Sequence, residues 1–280
     1  MTGVDVLDDT ALDRLASGLL QARDDARLTT LPSRGEVGFD LDTGYRVGRV
    51  LHERLVERGH RPVGRKIGFT NPATWKEFDL DTPIWAYLYA STVHLADRGC
   101  FRLSLGGMVA PRIEPEVVVK LRRAVSGGDL SVEALVDCLE WAAIGFEIVD
   151  SHFPGWRFTA ADAVADFGVH AALVVGTPWR LEPGDPRRTA AVLRDLTVRL
   201  SRGPETVAEG EGRNALGSPV LAVGHLARVI RAQSWAPPLA GGEVITTGTL
   251  TALPRVHPGE HWRVDVVGAP LAPLELDMCA

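Results

Sequence analysis

Near residue 60 the hydrophobic pattern of this 280-residue chain changes its period, and that change limits the possible folds more than any other feature. Before it, Leu12, Leu15, Ala16, Leu19 and Leu20 recur at helical spacing behind the capping oxygens of Asp8, Asp9 and Thr10, which predicts a first amphipathic helix to about Arg27. Leu28 to Phe39, rich in Thr, Pro, Ser and Gly, reads as a loop; Asp42-Thr43 then caps a second periodic run of Val47, Val50, Leu51, Leu55 and Val56, closed by Gly59. Beyond residue 60 come β-branched runs divided by Gly and Pro, starting near Val63, Trp85, Phe101, Arg112, Gly145, Ala171, Leu196, Val244, Trp262 and Leu274. Two further helices are expected among them, Ser131 to Ala143 and Pro219 to Ala232. The fold class is therefore α+β: a mixed β-sheet body over 61–280 that carries a helical N-terminal region, 1–60, within one catalytic unit spanning 1–280. No internal repeat and no clean linker divides it.

Charge limits the partners. With 36 acidic against 30 basic residues the net charge is −6, and the densest basic stretches, Arg61 to Lys66 and Arg187-Arg188, are short and read as loop surface. A protein that binds nucleic acid through its phosphates normally shows a basic stripe and a high pI, so nucleic acid is not an expected partner. Cys100, Cys138 and Cys279 show no metal or disulfide spacing, which fits a reducing cytoplasm. The first residues are acidic where a signal peptide is basic, and no apolar run approaches the ~18 residues of a membrane span, so a cytoplasmic protein without a membrane partner is expected.

The most informative local run is Pro111-Arg-Ile-Glu114-Pro-Glu116-Val-Val-Val-Lys120-Leu. On a strand, period two puts Ile113, Val117, Val119 and Leu121 on one face and Glu114, Glu116, Val118 and Lys120 on the other. Two carboxylates on one face repel unless something positive lies between them; a hard divalent cation would serve, and so would solvent with Lys120 as a screening partner. Glu147, between Phe146 and Ile148, is a third acid in apolar surroundings, where burial without compensation is costly and strand alternation toward solvent is the simpler reading. Lys66, between Gly64 and Gly68, could meet a ligand near the backbone or sit on the surface. Thr246-Thr247-Gly248-Thr249 offers hydroxyls and N–H groups to an anion, or forms a strand with a glycine bulge. His257-Pro-Gly-Glu260-His261 matches a zinc-peptidase pattern in letters only, since Pro258-Gly259 breaks the helix that pattern needs.

Taken in order, Lys66-Ile-Gly-Phe-Thr, Ile113-Glu-Pro-Glu, Phe146-Glu-Ile-Val-Asp-Ser, Ala161-Asp162-Ala-Val-Ala165-Asp166, Leu216-Gly-Ser-Pro and Gly242-Glu-Val-Ile-Thr-Thr-Gly-Thr resemble the 2-oxopent-4-enoate hydratase and 4-oxalocrotonate decarboxylase family of the fumarylacetoacetate hydrolase superfamily. The resemblance runs from the first helix nearly to the C-terminus. It implies a mixed-sheet body holding Mg²⁺ or Mn²⁺ on Glu114, Glu116 and Glu147, Lys66 as the catalytic lysine, and substrate contacts from Ile67, Gly68, Phe69, Asp166, His170, Thr247, Gly248 and Thr249. It also implies the chemistry: a 2-oxo acid chelates the metal, which stabilises the charge of a dienolate, and Lys66 helps stabilise or protonate that dienolate.

Two departures from the family pattern stand out, of which the first bears on the reaction and the second changes the pocket without choosing between hydration and decarboxylation. Hydratases of the family carry an acid after the Lys-Ile-Gly strand where this chain has Ile84, with Asp81 as a neighbouring substitute. The family's Ala-Asp-Asn-Ala-Ser is replaced by Ala165-Asp166-Phe167-Gly168-Val169, followed by His170, which either contacts a distal carboxylate or packs as a core histidine. Decarboxylation of a 2-oxo-3-hexenedioate-like (4-oxalocrotonate-like) acid is therefore ranked first, because it needs the metal more than it needs a distal base. Hydration of 2-hydroxypenta-2,4-dienoate, C–C hydrolysis of an acylpyruvate and a non-catalytic partner-subunit role are the alternatives. The expected partners are the small-molecule 2-oxo acid, further copies of the chain in a homo-oligomer, and an enzyme of the same pathway.

Overall fold

Two long antiparallel strands, β5 (Arg112–Leu121) and β6 (Leu139–Val149), form the spine of the protein, paired from Arg112 opposite Val149 to Leu121 opposite Leu139. The computed structural model describes residues 7–125, 128–182 and 184–280. On the β5 side lie β11 (Val244–Thr249), β1 (Pro62–Gly68) and β2 (Ile84–Tyr89); on the β6 side lie β7 (His170–Val175) and β3 (Val93–Leu95), with the two-residue β8 (Trp179–Arg180) also on β6. β1 with β11 and β3 with β7 are parallel and the other pairs antiparallel, so this eight-stranded sheet is mixed. A second, five-stranded sheet runs β10 (Glu205–Glu211), β9 (Thr197–Arg202), β12 (His261–Val267), β13 (Leu274–Cys279) and β4 (Cys100–Ser104).

The main core joins both sheets to helix α7 (Pro219–Ala232): Ile113, Val117, Phe146 and Ile148 of the spine pack in one cluster with Val223, Leu226, Leu200 and Trp262. Each such side chain contributes roughly 1.5–3 kcal/mol when fully buried. A second cluster holds Leu12, Leu19 and Leu20 of α1 (Asp9–Asp24) and Val47, Leu51 and Leu55 of α3 (Leu41–Glu57) against Tyr89, Phe153 and Ala165. No helix among the described residues is long and apolar enough to cross a membrane.

Several local expectations are corrected. The α3 cap is Asp40, whose carboxylate accepts from the Thr43 N–H, and Asp42 lies inside the first turn. The loop from Leu28 to Phe39 contains a single helical turn, α2 (Pro32–Gly35). The helix expected over Ser131 to Ala143 stops after six residues, α4 (Val132–Asp137), and Leu139 already opens β6, six residues before the expected start at Gly145. β6 is buried on both faces, so its apolar run does not alternate, and its first half satisfies helical spacing equally well. Arg187-Arg188 lie on a further helix, α6 (Pro186–Asp195), capped by Asp185 with Pro186 in its first turn, and both side chains are exposed. β3, β8 and β10 were not expected.

The last element that positions the site is α5 (Ala160–Ala165), opened by a capping box in which Thr159 and Asp162 satisfy each other's backbone N–H. It delivers the chain through Asp166–Val169 into β7.

Candidate metal centre and active site

Period two on β5 puts Arg112, Glu114 and Glu116 on one face, and the β5–β6 register sets Glu114 directly opposite Glu147. Like charges facing each other across two strands are destabilising. Here a third joins them, because Glu114, Glu116 and Glu147 each offer a carboxylate oxygen within 4.8 Å of the others. Glu116 and Glu147 are fully buried and Glu114 is half-buried.

Lys66 reaches the cluster from β1, its Nζ 3.1 Å from Glu147 Oε1. Gly168 admits that side chain: at φ +62° it favours glycine, and a Cβ there would stand 2.7 Å from Ala86 Cβ and 3.3 Å from Lys66 Cδ. The same Glu147 oxygen is met at 2.8 Å by His170 Nδ1, while His170 Nε2 faces the Thr92 hydroxyl at 2.9 Å. A carboxylate only accepts, so Nδ1 carries the proton. Burial lowers the pKa of His170 against the pull of Glu147, which leaves the ring neutral.

Burial and charge divide the three acids. Glu147 is pushed up by burial, but Lys66 and His170 outweigh this and hold it at about 2. Burial lifts Glu114 to about 7, with Lys66 pulling down and Glu147 pushing up, and lifts Glu116 well above the usual carboxylate range, reinforced by Glu147 and Glu114. Burial also works against the Lys66 ammonium, yet the three carboxylates raise its pKa and keep it charged.

Two oxygens in this cluster are buried without any hydrogen-bond partner, Glu147 Oε2 and Glu116 Oε1. In each residue the other oxygen is fixed by the protein, Glu147 Oε1 by Lys66 and His170, and Glu116 Oε2 by the Gly248 N–H at 2.7 Å. Carboxyl oxygens left without a partner in the interior are costly, and three converging hard oxygen donors are what a divalent cation of the Mg²⁺ or Mn²⁺ kind takes. The residues therefore fit such an ion. Lys66 and His170 fix the other oxygen of Glu147, and the Gly248 N–H fixes the other oxygen of Glu116.

The cluster opens into a cavity of about 800 Å³. Lys66, Ile67, Gly68 and Phe69 of the β1 strand and its turn line it, as do Glu114 and Glu116, then Gly248 and Thr249. Three residues expected to touch substrate do not line it. Asp166 accepts from the His152 backbone N–H and holds His152 Nδ1 at 2.7 Å; His170 stands behind Glu147; the Thr247 hydroxyl donates to Val117 O at 2.7 Å. For Thr247 the cause is strand alternation: Thr246 pairs with Val118 on the Glu116 face, so Thr247 points to the other face, and the register shift between Thr246 and Thr249, with Gly248 at φ +101°, sets Thr249 opposite Glu116. Ile84 does line the cavity, whereas Asp81 is exposed and outside it.

Residues not named as site residues also line the wall, among them Arg112, Trp156, Phe158 and Thr70. Arg112 was readable from period two on β5 and Thr70 closes the Lys66-Ile-Gly-Phe-Thr run, whereas Trp156 and Phe158 lie between β6 and α5 with no sequence signal. Phe69, Trp156 and Val169 all line the cavity with positive φ of 55°, 59° and 54°. Such backbone strain costs roughly 1–3 kcal/mol per residue and gathers at functional sites. The His257 to His261 pattern forms no metal site: Pro258-Gly259 make a turn, Glu260 accepts from the His257 N–H, and His261 pairs with Asp277.

No protein-family model matches the chain. Among curated proteins it is 30% identical over 261 residues to the TodF product hydratase of Pseudomonas putida, covering 92% of this chain and 93% of that one. It is also 30% identical over 253 residues to a 4-oxalocrotonate decarboxylase of a Pseudomonas species, covering 89% and 93%. Among solved structures, 4-oxalocrotonate decarboxylase from Pseudomonas putida G7, complexed with magnesium and adipate, superposes with a TM-score of 0.88 at 23% identity, over 98% of this chain and 99% of that one. The body shares the fold of a putative fumarylacetoacetate isomerase/hydrolase from Oleispira antarctica, with a TM-score of 0.56 at 13% identity, over 77% of this chain and 93% of that one.

Proposed function

We propose that this chain, a lyase that belongs to the 2-keto-4-pentenoate hydratase and 4-oxalocrotonate decarboxylase family, decarboxylates a 2-oxo-3-hexenedioate-like acid with Mg²⁺ or Mn²⁺ on Glu114, Glu116 and Glu147. When bound there, the cation supplies Lewis-acid charge that draws electrons toward the 2-oxo oxygen of the acid. The bond between the distal carboxylate and the chain breaks, CO₂ leaves, and its electron pair runs through the double bond toward the 2-oxygen.

The chain's own residues support that flow. Lys66 is held by Glu147 with its proton on, so it acts first as a fixed positive charge on the cavity wall and then as a proton donor. Ile67, Gly68, Phe69 and Thr249 shape the wall around the ligand.

The observation that carries the choice of reaction is the cavity lining. Water addition needs an acid–base group at the distal carbon, yet the hydratase acid position holds Ile84, buried and apolar. Apart from the metal-centre acids, the one carboxylate among the described residues that lines the cavity is Glu209, and it pairs with Arg199 at 3.2 Å. Loss of CO₂ needs no such group. The curated hydratase relatives favour the second reading, hydration of 2-hydroxypenta-2,4-dienoate.

Product analysis separates the readings. Incubated with Mg²⁺, the protein should release CO₂ from 2-oxo-3-hexenedioate and leave 2-hydroxypenta-2,4-dienoate unhydrated. Formation of 4-hydroxy-2-oxopentanoate without CO₂ would assign hydration, and cleavage of an acylpyruvate would assign the hydrolase. Binding of neither metal nor acid would leave a partner-subunit role. The proposal places the protein in the cytoplasm as a homo-oligomer, where its three free cysteines stay reduced.

A further inference from the structure

We propose that the Arg112 guanidinium receives the far carboxylate of a dicarboxylate ligand, making the cavity selective for a 2-oxo diacid over a 2-oxo monoacid of equal length. The inference rests on the reading that the 2-oxo end of the ligand sits at Glu114, Glu116 and Glu147.

Position is the first ground. Arg112, Glu114 and Glu116 form one row on β5, and the row runs outward from fully buried Glu116 to half-buried Glu114 and Arg112. Two residues of extended strand span about 7 Å, which matches the length of a six-carbon diacid in order of magnitude. Val149, opposite Arg112 in the register, lines the same cavity, so the arginine faces into it.

The second ground is an unmet need. Arg112 Nε is buried without a hydrogen-bond partner, and the guanidinium makes no ion pair among the described residues. By contrast, Arg65, the other arginine with a partnerless Nε, is paired with Glu243. An isolated β-bridge places Arg255 against Arg112, which adds positive charge to this edge.

Preorganisation is the third. The guanidinium carbon lies 4.4 Å from the centroid of the Trp156 ring, and that ring is itself pinned by Nε1 donating to Ala110 O at 2.8 Å. A planar fork stacked on an anchored indole needs little ordering to take a carboxylate in two parallel hydrogen bonds. Trp156 and Phe158 then cover the apolar middle of the ligand.

Calorimetry on the Mg²⁺-loaded protein with oxalate, 2-oxohexanoate and 2-oxoadipate tests this. Removing a charge-assisted pair, Arg112→Gln should weaken 2-oxoadipate about 10- to 100-fold. Oxalate and 2-oxohexanoate, which lack the far carboxylate, should change less than about 2-fold. Arg112→Lys, which keeps charge but loses the fork, should show the same selectivity with a smaller loss, and it carries the test should the glutamine variant not fold. Equal weakening of 2-oxohexanoate and 2-oxoadipate would overturn the proposal, as would unchanged 2-oxoadipate binding. Selective binding without CO₂ release keeps Arg112's role and sinks decarboxylation; CO₂ release with unselective binding does the reverse. Failure of the wild-type protein to bind any of the three acids overturns both.

Discussion

Replacing Gly248 by alanine should damage both the stability of the fold and the metal centre. Gly248 sits at φ +101°, which costs a residue with a Cβ about 1–2 kcal/mol. The added Cβ would also stand 2.6 Å from Thr70 Cβ, with Thr70 Oγ1 and Cγ2 closer still. Thr70 cannot escape by rotating, because its own Cβ is among the clashing atoms, so the backbone must shift, at a further ~1–3 kcal/mol. The sum, about 2–5 kcal/mol, is a large part of the roughly 5–15 kcal/mol that holds a folded protein. The shift also moves the Gly248 N–H away from Glu116 Oε2, and loss of such an orienting partner typically weakens metal affinity 10- to 100-fold. Denaturant unfolding of the metal-free protein and Mg²⁺ calorimetry read the two effects separately. Thr70→Gly in the alanine background should recover the steric part of the stability and leave the backbone strain. Wild-type stability together with wild-type Mg²⁺ affinity in Gly248→Ala would refute this account of the β11 bulge.

Three further outcomes follow from the same geometry. His170→Ala should leave Glu147 held by Lys66 alone and weaken Mg²⁺ about 10- to 100-fold in calorimetry, while His170→Asn, which can still donate to the carboxylate, should recover part of the loss. Glu114 near 7 and Glu116 well above the carboxylate range mean that the metal-free centre binds protons at neutral pH; Mg²⁺ should eject about one to two, read from calorimetry in buffers of different ionisation enthalpy, and affinity should fall as pH drops below 7. His52, stacked on Tyr87 with ring centroids 3.7 Å apart, is lowered to about 4, chiefly by burial. Its folded pKa lies below the unfolded value, so stability that is full above about 6.5 should drain away as pH falls toward 4, and His52→Gln should flatten that limb in urea midpoints.

Much of the centre was legible because a strand's period is two and a carboxylate's charge cannot be hidden. Glu114 and Glu116 share a face by spacing alone, which left either a neutralising cation or solvent with Lys120 to answer their repulsion. Glu147 was the harder case: nothing in the sequence gives the register that sets it opposite Glu114, and simple alternation would have sent it to solvent. Resemblance placed it with the others, and the register supplies the physical reason. The readings that failed did so where tertiary contacts override local pattern. β6 reads as helix in its first half because a strand covered on both faces loses alternation. Thr247 turns away from the cavity because Thr246 takes the Glu116 face of the sheet, a register that a Thr-rich run does not reveal. His170 reached the centre through Glu147 rather than through substrate, a role visible only once β6 and β7 pair. α6 was readable from Asp185 and Pro186 at its start, signals outweighed by the two arginines that follow.

The claim on which the rest depends is that Glu114, Glu116 and Glu147 hold one divalent cation. A crystal of the protein soaked in Mn²⁺, measured for anomalous scattering, tests it most directly. One peak per chain should lie among the three carboxylates, in contact with Glu147 Oε2 and Glu116 Oε1, and it should vanish in Glu147→Gln. A peak elsewhere, or none at the cluster, would contradict the account.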